Sequence, residues 1–135
     1  MASLHFRPRL IAIGALTVAL AGCASAQVNN PRFLHDLQTG HAAEVTIRGV
    51  VSRLENDYSG PTGPHEYFVV TVLGHPVEID YNLSLAPRVP VAVGDVVQVH
   101  GEFNPDPGHP NIDYVHQSTG GHESGWVILR GHKYW

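Results

Sequence analysis

Short valine-rich segments separated by glycine and proline constrain the fold of this chain more than any other feature. Residues 77–81 alternate apolar and polar side chains, and in 96–103 the residues Val97, Val99 and Phe103 share one side. This alternation is typical of half-buried β-strands. The same residue types recur in four further segments, 45–54, 66–73, 112–115 and 125–129. Five or six short strands separated by turns predict a small barrel or sandwich.

An OB-like barrel explains the strand pattern best. Residues 91–102 contain a Val-Gly-Asp turn, alternating valines and then Gly-Glu, which resembles an OB-fold strand. Gly49 lies inside the first predicted strand, where a glycine indicates a bulge or a bend. We therefore expect a mainly β fold, an OB-like barrel of five to six strands, with a β-sandwich as the alternative.

A short helix is predicted before the barrel. Asn30 can cap it, Pro31 suits its first turn and Gly40 ends it, while Phe33 and Leu37 share one face. A disordered tether is the alternative. The predicted organisation is then a leader at 1–22, a tether with the helix at 23–43 and the barrel at 44–135.

The first residues have the anatomy of a secretory signal. Arg7 and Arg9 precede an uncharged apolar run at 10–20, and Leu-Ala-Gly then leads to Cys23, the single cysteine. This arrangement resembles a lipobox, in which the cysteine thiol is acylated. We therefore predict a signal peptide over 1–22, lipidation of Cys23 and a membrane as a partner through that lipid.

Cleavage at a second position is the alternative. Ala24-Ser25-Ala26 before Gln27 also suits ordinary signal peptidase, and it would release a soluble periplasmic or secreted protein. The apolar run of eleven residues is short of the roughly 20 that a spanning helix needs. Because Ala24, and no aspartate, follows Cys23, lipidation predicts the periplasmic side of the outer membrane.

Composition excludes two classes of protein. A single cysteine leaves no disulfide framework, so stability has to come from burial. Arg7 and Arg9 would leave with the leader, so that six basic side chains remain against twelve acidic ones, a formal net charge of −6. This balance argues against nucleic acid as a partner, because affinity for nucleic acid depends on neutralising phosphates.

Residues 44–135 resemble the bacterial family called domain of unknown function 3465. The matching blocks are Gly-Val-Val-Ser-Arg-Leu at 49–54, His-Glu-Tyr-Phe-Val-Val at 65–70, Tyr-Asn-Leu-Ser-Leu-Ala-Pro-Arg-Val at 81–89, Ile-Asp-Tyr-Val-His-Gln at 112–117 and Gly-Trp-Val at 125–127. The resemblance implies export and a compact β-domain, and it implies no activity. The chain departs from the family where Tyr81, Asp113 and Gln117 replace histidines.

Three histidines stand at positions that match the family pattern. His65, His116 and His122, with Asp80 and Asp113 on neighbouring predicted strands, could bind a divalent metal such as zinc. Their spacing matches no recognised metal motif, so ordinary hydrogen bonding is the alternative. A metal-dependent hydrolase or nuclease-like enzyme would follow from such a cluster. The serines lie in no nucleophile-elbow context, and the only acid–base pair considered is Glu66 with Asp80.

Arg88 is the first candidate for ligand binding. Pro87 restricts the backbone beside it, so its guanidinium could clamp an anion or a carboxylate. The alternative is a structural ion pair with Asp80 or Asp95.

Aromatic side chains on the open face of an OB barrel can stack on ligands. We assign Tyr81, Asn82 and Trp126, with Arg88, as candidate ligand-binding residues, and a sugar or a peptide fits the negative charge better than nucleic acid. The sequence thus predicts an exported envelope protein that binds a small ligand or a partner. The metal-dependent enzyme and a structural or assembly protein of the envelope are the alternatives.

Overall fold

The computed structural model describes residues 26–135, which contain one helix and eight strands. The helix α1 covers Asn30–Thr39. The strands are β1 (Ala43–Leu54), β2 (Tyr58–Gly60), β3 (Gly63–Val72), β4 (His75–Asn82), β5 (Val96–Asn104), β6 (Asn111–Asp113), β7 (Trp126–Leu129) and β8 (His132–Tyr134).

Five of the strands close into a barrel. The neighbours run β1-β3-β4-β6-β5, and β5 pairs again with β1. The β4–β6 pair is parallel and the other pairs are antiparallel. This order is that of an OB-like barrel, so the predicted fold class is confirmed. Outside the barrel, β2 pairs with β3 as a hairpin, and β7 and β8 extend the sheet from β5.

The long strand β1 bends to close the barrel. Its residues 43–50 pair with β5 and its residues 50–54 pair with β3, with a register shift between Val51 and Arg53. Gly49 lies just before this change of partner, and a Cβ there would be 2.4 Å from the carbonyl oxygen of Thr71. The glycine therefore permits close approach of β3, and the bulge itself follows it.

The core is built from inward-facing β-branched and aromatic side chains. Phe33 of α1 and Phe103 of β5 are both fully buried and pack edge to face, with ring centroids 5.0 Å apart. Full burial of such a side chain stabilises a fold by about 1.5–3 kcal/mol. The helix therefore contributes to the core, and the predicted boundary at 43/44 falls inside β1.

The helix forms as predicted, with its cap displaced by one residue. The side chain of Asn29, in place of that of Asn30, accepts the Arg32 N–H at 3.0 Å. Asn30 instead exchanges two hydrogen bonds with the backbone of Arg48, at 2.8 and 2.9 Å, which attach α1 to β1. Gly40 ends the helix in the left-handed conformation.

Two predictions concern residues that the structure does not describe. The leader at 1–22 and the lipidation of Cys23 lie outside residues 26–135. Within residues 26–135, no helix is long and apolar enough to cross a membrane.

Candidate functional site

A groove of about 460 Å³ lies over the outer face of β3 and β4. One wall comes from the segment that follows β1, and the other comes from β6 and the loop before it. OB-folds bind their ligands on this face, between the corresponding two loops. Four carboxylates line the groove: Glu55, Glu78, Asp80 and Asp113.

The strand register places the groove side chains. Tyr67 on β3 pairs directly with Asp80 on β4, and the next pair along is Phe68 with Ile79. Because successive side chains alternate between the two faces of a strand, Phe68 and Ile79 are fully buried while Tyr67 and Asp80 face the groove. Glu78 lies two residues before Asp80 and faces the same way.

Asp80 is held in place from two sides. One of its oxygens contacts Nδ1 of His65, and the other accepts the Tyr67 hydroxyl at 3.1 Å. The second ring nitrogen of His65 lies 2.8 Å from Oγ1 of Thr62. Burial, and then the charge of Asp80, raise the pKa of Tyr67, which therefore stays protonated and donates to Asp80.

Glu78 and Glu55 line the groove side by side, within hydrogen-bond reach of each other. Burial, and then a hydrogen bond with the Glu55 side chain, raise the pKa of Glu78. Nε2 of His109 lies 3.0 Å from Oε1 of Glu78. Arg53 donates to Glu55 at 2.9 Å and lowers the pKa of Glu55. Glu55 thus has a full cation beside it, whereas Glu78 has a histidine.

Asp113, from β6, completes the acidic lining. Its Oδ1 accepts the Tyr114 N–H at 2.6 Å. Burial raises the pKa of Asp113, and the charge of Asp80 raises it further. Because the charge of Asp80 opposes ionisation of Asp113, a positively charged group bound beside them would be favoured.

None of the four predicted ligand-binding residues lines this groove. Tyr81 is fully buried in the core, where its hydroxyl has no hydrogen-bond partner. The buried Asn82 holds a turn instead, because its Oδ1 accepts the Ser84 N–H at 2.8 Å. Trp126 is 9% exposed and stacks on His100, with centroids 5.5 Å apart.

Arg88 forms an ion pair, but with neither of the predicted partners. Its guanidinium binds Asp57 through both terminal nitrogens, and it lies 3.5 Å from Oε1 of Glu66. Asp95 pairs instead with Arg130 at 2.9 Å. Glu66 accepts the Val89 N–H at 3.0 Å, and burial raises the pKa of its carboxyl. A Glu66–Asp80 acid–base pair does not form, because Glu66 is opposite Tyr81 and faces inward.

The three predicted metal-binding histidines do not converge. His116 and His122 are neighbours, with ring centroids 4.8 Å apart. His65 has both of its nitrogens engaged by Thr62 and Asp80. The ligand atoms of the three histidines do not all lie within 4.8 Å of one another, so the structure does not bring the predicted set together.

A different cluster brings three potential metal ligands together. One nitrogen of His100 and one oxygen each of Glu44 and Glu123 all lie within 4.8 Å of one another, the only such group of three in residues 26–135. Sequence reasoning missed it, because β1, β5 and the segment before β7 supply one residue each. One signal was present in the sequence: in the alternating strand 96–103, His100 lies on the polar side, with Gln98 and Glu102.

The comparisons place the chain in a family. No curated protein matches it, and no solved structure matches it. Residues 16–135 match the model of the family described as "Protein of unknown function (DUF3465)". The match covers most of the chain, so the protein belongs to the DUF3465 family.

Proposed function

We propose that the protein is a binding module whose acidic groove takes a small ligand with two or more amino groups. The single observation that carries the proposal is the set of four carboxylates along the face where OB-folds bind ligands. Burial raises the pKa of Glu78 and of Asp113, and repulsion from a neighbouring acid, Glu55 or Asp80, raises each pKa further. Ammonium groups between these carboxylates would remove that repulsion.

The number of charges matters more than any single pair. One exposed ion pair contributes about 0.2–1 kcal/mol. A ligand with several ammonium groups can contact several carboxylates at once, and the contributions accumulate on one molecule. The same charges repel phosphate, so an oligonucleotide is disfavoured on this OB face.

Neutral groups in the groove fit the rest of such a ligand. Tyr58 and Tyr67 offer ring surface for methylene chains and for cation–π contact. The side-chain carbonyl oxygens of Asn56, Asn104 and Asn111 can accept hydrogen bonds from N–H groups. The lining therefore combines charge for the amines with surface for the chain between them.

Calorimetric titration with spermidine tests the proposal. We expect one spermidine per chain, and at least tenfold weaker binding in the double variant Glu78→Gln/Asp113→Asn. The matched control is Asp106→Asn, which makes the same carboxylate-to-amide change at an exposed position outside the groove lining and should bind like the wild type. Absence of spermidine binding, or equal binding by the double variant, would overturn the proposal. So would a neutral oligosaccharide that binds where spermidine does not.

We also propose that the protein is exported and anchored through a lipid on Cys23. The charged start, the apolar run and Leu-Ala-Gly before Cys23 support this. Labelling of cells with an alkyne fatty acid should mark the wild type and not Cys23→Ala. Label absent from both, with protein recovered in the soluble periplasmic fraction, would support cleavage before Gln27. Protein retained in the cytosol would contradict export altogether.

A further inference from the structure

We infer that Glu44, His100 and Glu123 form a binding site for one divalent transition-metal ion, with Zn²⁺ as the representative ion. None of the three lines the acidic groove, so the site is separate from the proposed amine site. Imidazole with carboxylates is a ligand set for ions such as Zn²⁺, Mn²⁺ and Fe²⁺.

The central observation is a buried imidazole nitrogen without a partner. His100 is 4% exposed, and its Nε2 makes no hydrogen bond. Nε2 lies 3.3 Å from Oε1 of Glu123 and 3.9 Å from Oε2 of Glu44. In a tetrahedral zinc site, bonds of about 2.0–2.2 Å place the ligand atoms roughly 3.3–3.6 Å apart. Small side-chain movements would therefore complete the coordination.

The other ring nitrogen is oriented by a second residue. Nδ1 of His100 lies 2.8 Å from Oγ1 of Thr46, which is itself buried. When Nδ1–H donates to that hydroxyl, Nε2 presents its lone pair to Glu44 and Glu123. Metal-binding histidines are characteristically oriented by such a hydrogen bond on the far nitrogen.

The surroundings hold the ring and favour a cation. Trp126 stacks on the imidazole with 25° between the planes. Glu44 is directly opposite Glu102 in the β1–β5 pair, and like charges at such positions destabilise a sheet. A bound cation would offset this repulsion.

A glycine permits the loop to bring in the third ligand. A Cβ on Gly125 would lie 2.8 Å from the carbonyl oxygen of His100 and 2.1 Å from that of Tyr114. Only a residue without a side chain permits this approach, and Glu123, two residues earlier, reaches Nε2 of His100. Three protein ligands leave a fourth position for water or an external ligand, the arrangement of zinc sites that remain open.

Zinc titration of the metal-free protein, expressed as the full chain, tests the inference. We expect one tightly bound Zn²⁺ per chain, and at least 100-fold weaker binding in Glu44→Gln/Glu123→Gln, whose changed side chains are partly exposed. Asp106→Asn and His116→Gln are the controls, and each should bind within threefold of the wild type. In ¹H–¹⁵N spectra of the imidazoles, Zn²⁺ should shift Nε2 of His100, a signature that loss of structure would not produce.

Three outcomes would overturn the inference. One is the absence of stoichiometric Zn²⁺. A second is a double variant that keeps wild-type affinity. A third is binding that depends on His116 while Nε2 of His100 does not shift. A double variant with the wild-type circular dichroism spectrum and no zinc affinity would support it. Spermidine affinity in that variant reports separately on the groove.

Discussion

The acidic groove and the His100 cluster are two carboxylate-rich regions of one barrel that differ in how closely their carboxylates are spaced. In the groove, four carboxylates are spread over two walls and the floor of a cavity of about 460 Å³. In the cluster, two carboxylates lie beside one buried imidazole, and the ligand atoms are within 4.8 Å of one another. Spacing therefore distinguishes the two regions: dispersed charges suit an extended cation, whereas converging atoms suit a single ion.

Outside the groove, two arginines neutralise three acidic side chains. Asp57 and the buried Glu66 both contact Arg88, and Asp95 contacts Arg130. Within residues 26–135, no arginine or lysine forms an ion pair with Glu78 or Asp113. Glu78 and Asp113 are therefore groove carboxylates that lack a full cation as a partner.

Truncation of the shared core should have the largest effect. Phe103 packs on Phe33, and its neighbour Asn104 lines the groove. Phe103→Ala should lower the free energy of unfolding by about 3–5 kcal/mol, measured by urea denaturation. Val93→Ala, at a position 63% exposed, should change it by less than about 0.5 kcal/mol. An unchanged urea midpoint in Phe103→Ala would show that the Phe33–Phe103 contact does not stabilise the barrel.

Removal of Arg88 tests its structural role against the ligand role predicted from sequence. Arg88→Gln should lower the free energy of unfolding by about 1–2 kcal/mol at pH 7, because Glu66 is left buried with one hydrogen bond. Since the pKa of Glu66 is raised, acidification protonates it and the loss should shrink. Spermidine affinity should stay within threefold of the wild type. If Arg88→Gln keeps its stability but loses spermidine binding, Arg88 is a ligand-binding residue and not a structural one.

A smaller effect is expected from neutralising the groove itself. The raised pKa values of Glu78 and Asp113 mean that the folded state binds protons more tightly than the unfolded chain, so their contribution to stability is lost as pH rises. Glu78→Gln/Asp113→Asn should therefore raise the Tm by roughly 2–5 °C at pH 7. The gain should vanish below about pH 3, where the wild-type acids are protonated in both states. An equal gain at both pH values would contradict this cause.

The local sequence pattern was sufficient to predict the barrel strands but not the short strands β2 and β8 outside the barrel. The strand 77–81 was predicted because apolar and polar residues alternate, and the helix was predicted from Pro31 and Gly40. The glycines and prolines at 60–64 predict a loop over 55–64. The segment nevertheless contains β2, whose Tyr-Ser-Gly sequence shows no alternation and which forms by hairpin pairing with β3. Neither β2 nor β8 has a buried residue, so hydrophobic pattern had nothing to detect.

The site was harder to predict than the fold, for a physical reason. Thr46 and His100 are direct partners across β1 and β5 although 54 residues separate them. Such register depends on tertiary pairing and not on local sequence. Tyr81 is a different case, since the alternation at 77–81 already put it on the apolar face with Val77 and Ile79. Its burial could have been predicted, and the polar face of the same strand, with Glu78 and Asp80, was the better choice.

Mapping spermidine onto the backbone amides by ¹H–¹⁵N spectroscopy tests the central claim most directly. We expect the shifts to concentrate on the groove lining, at Glu78, Asp80, Asn111 and Asp113, and to weaken as pH falls and Glu78 and Asp113 are protonated. Saturable shifts elsewhere on the barrel, or none at millimolar spermidine, would contradict it.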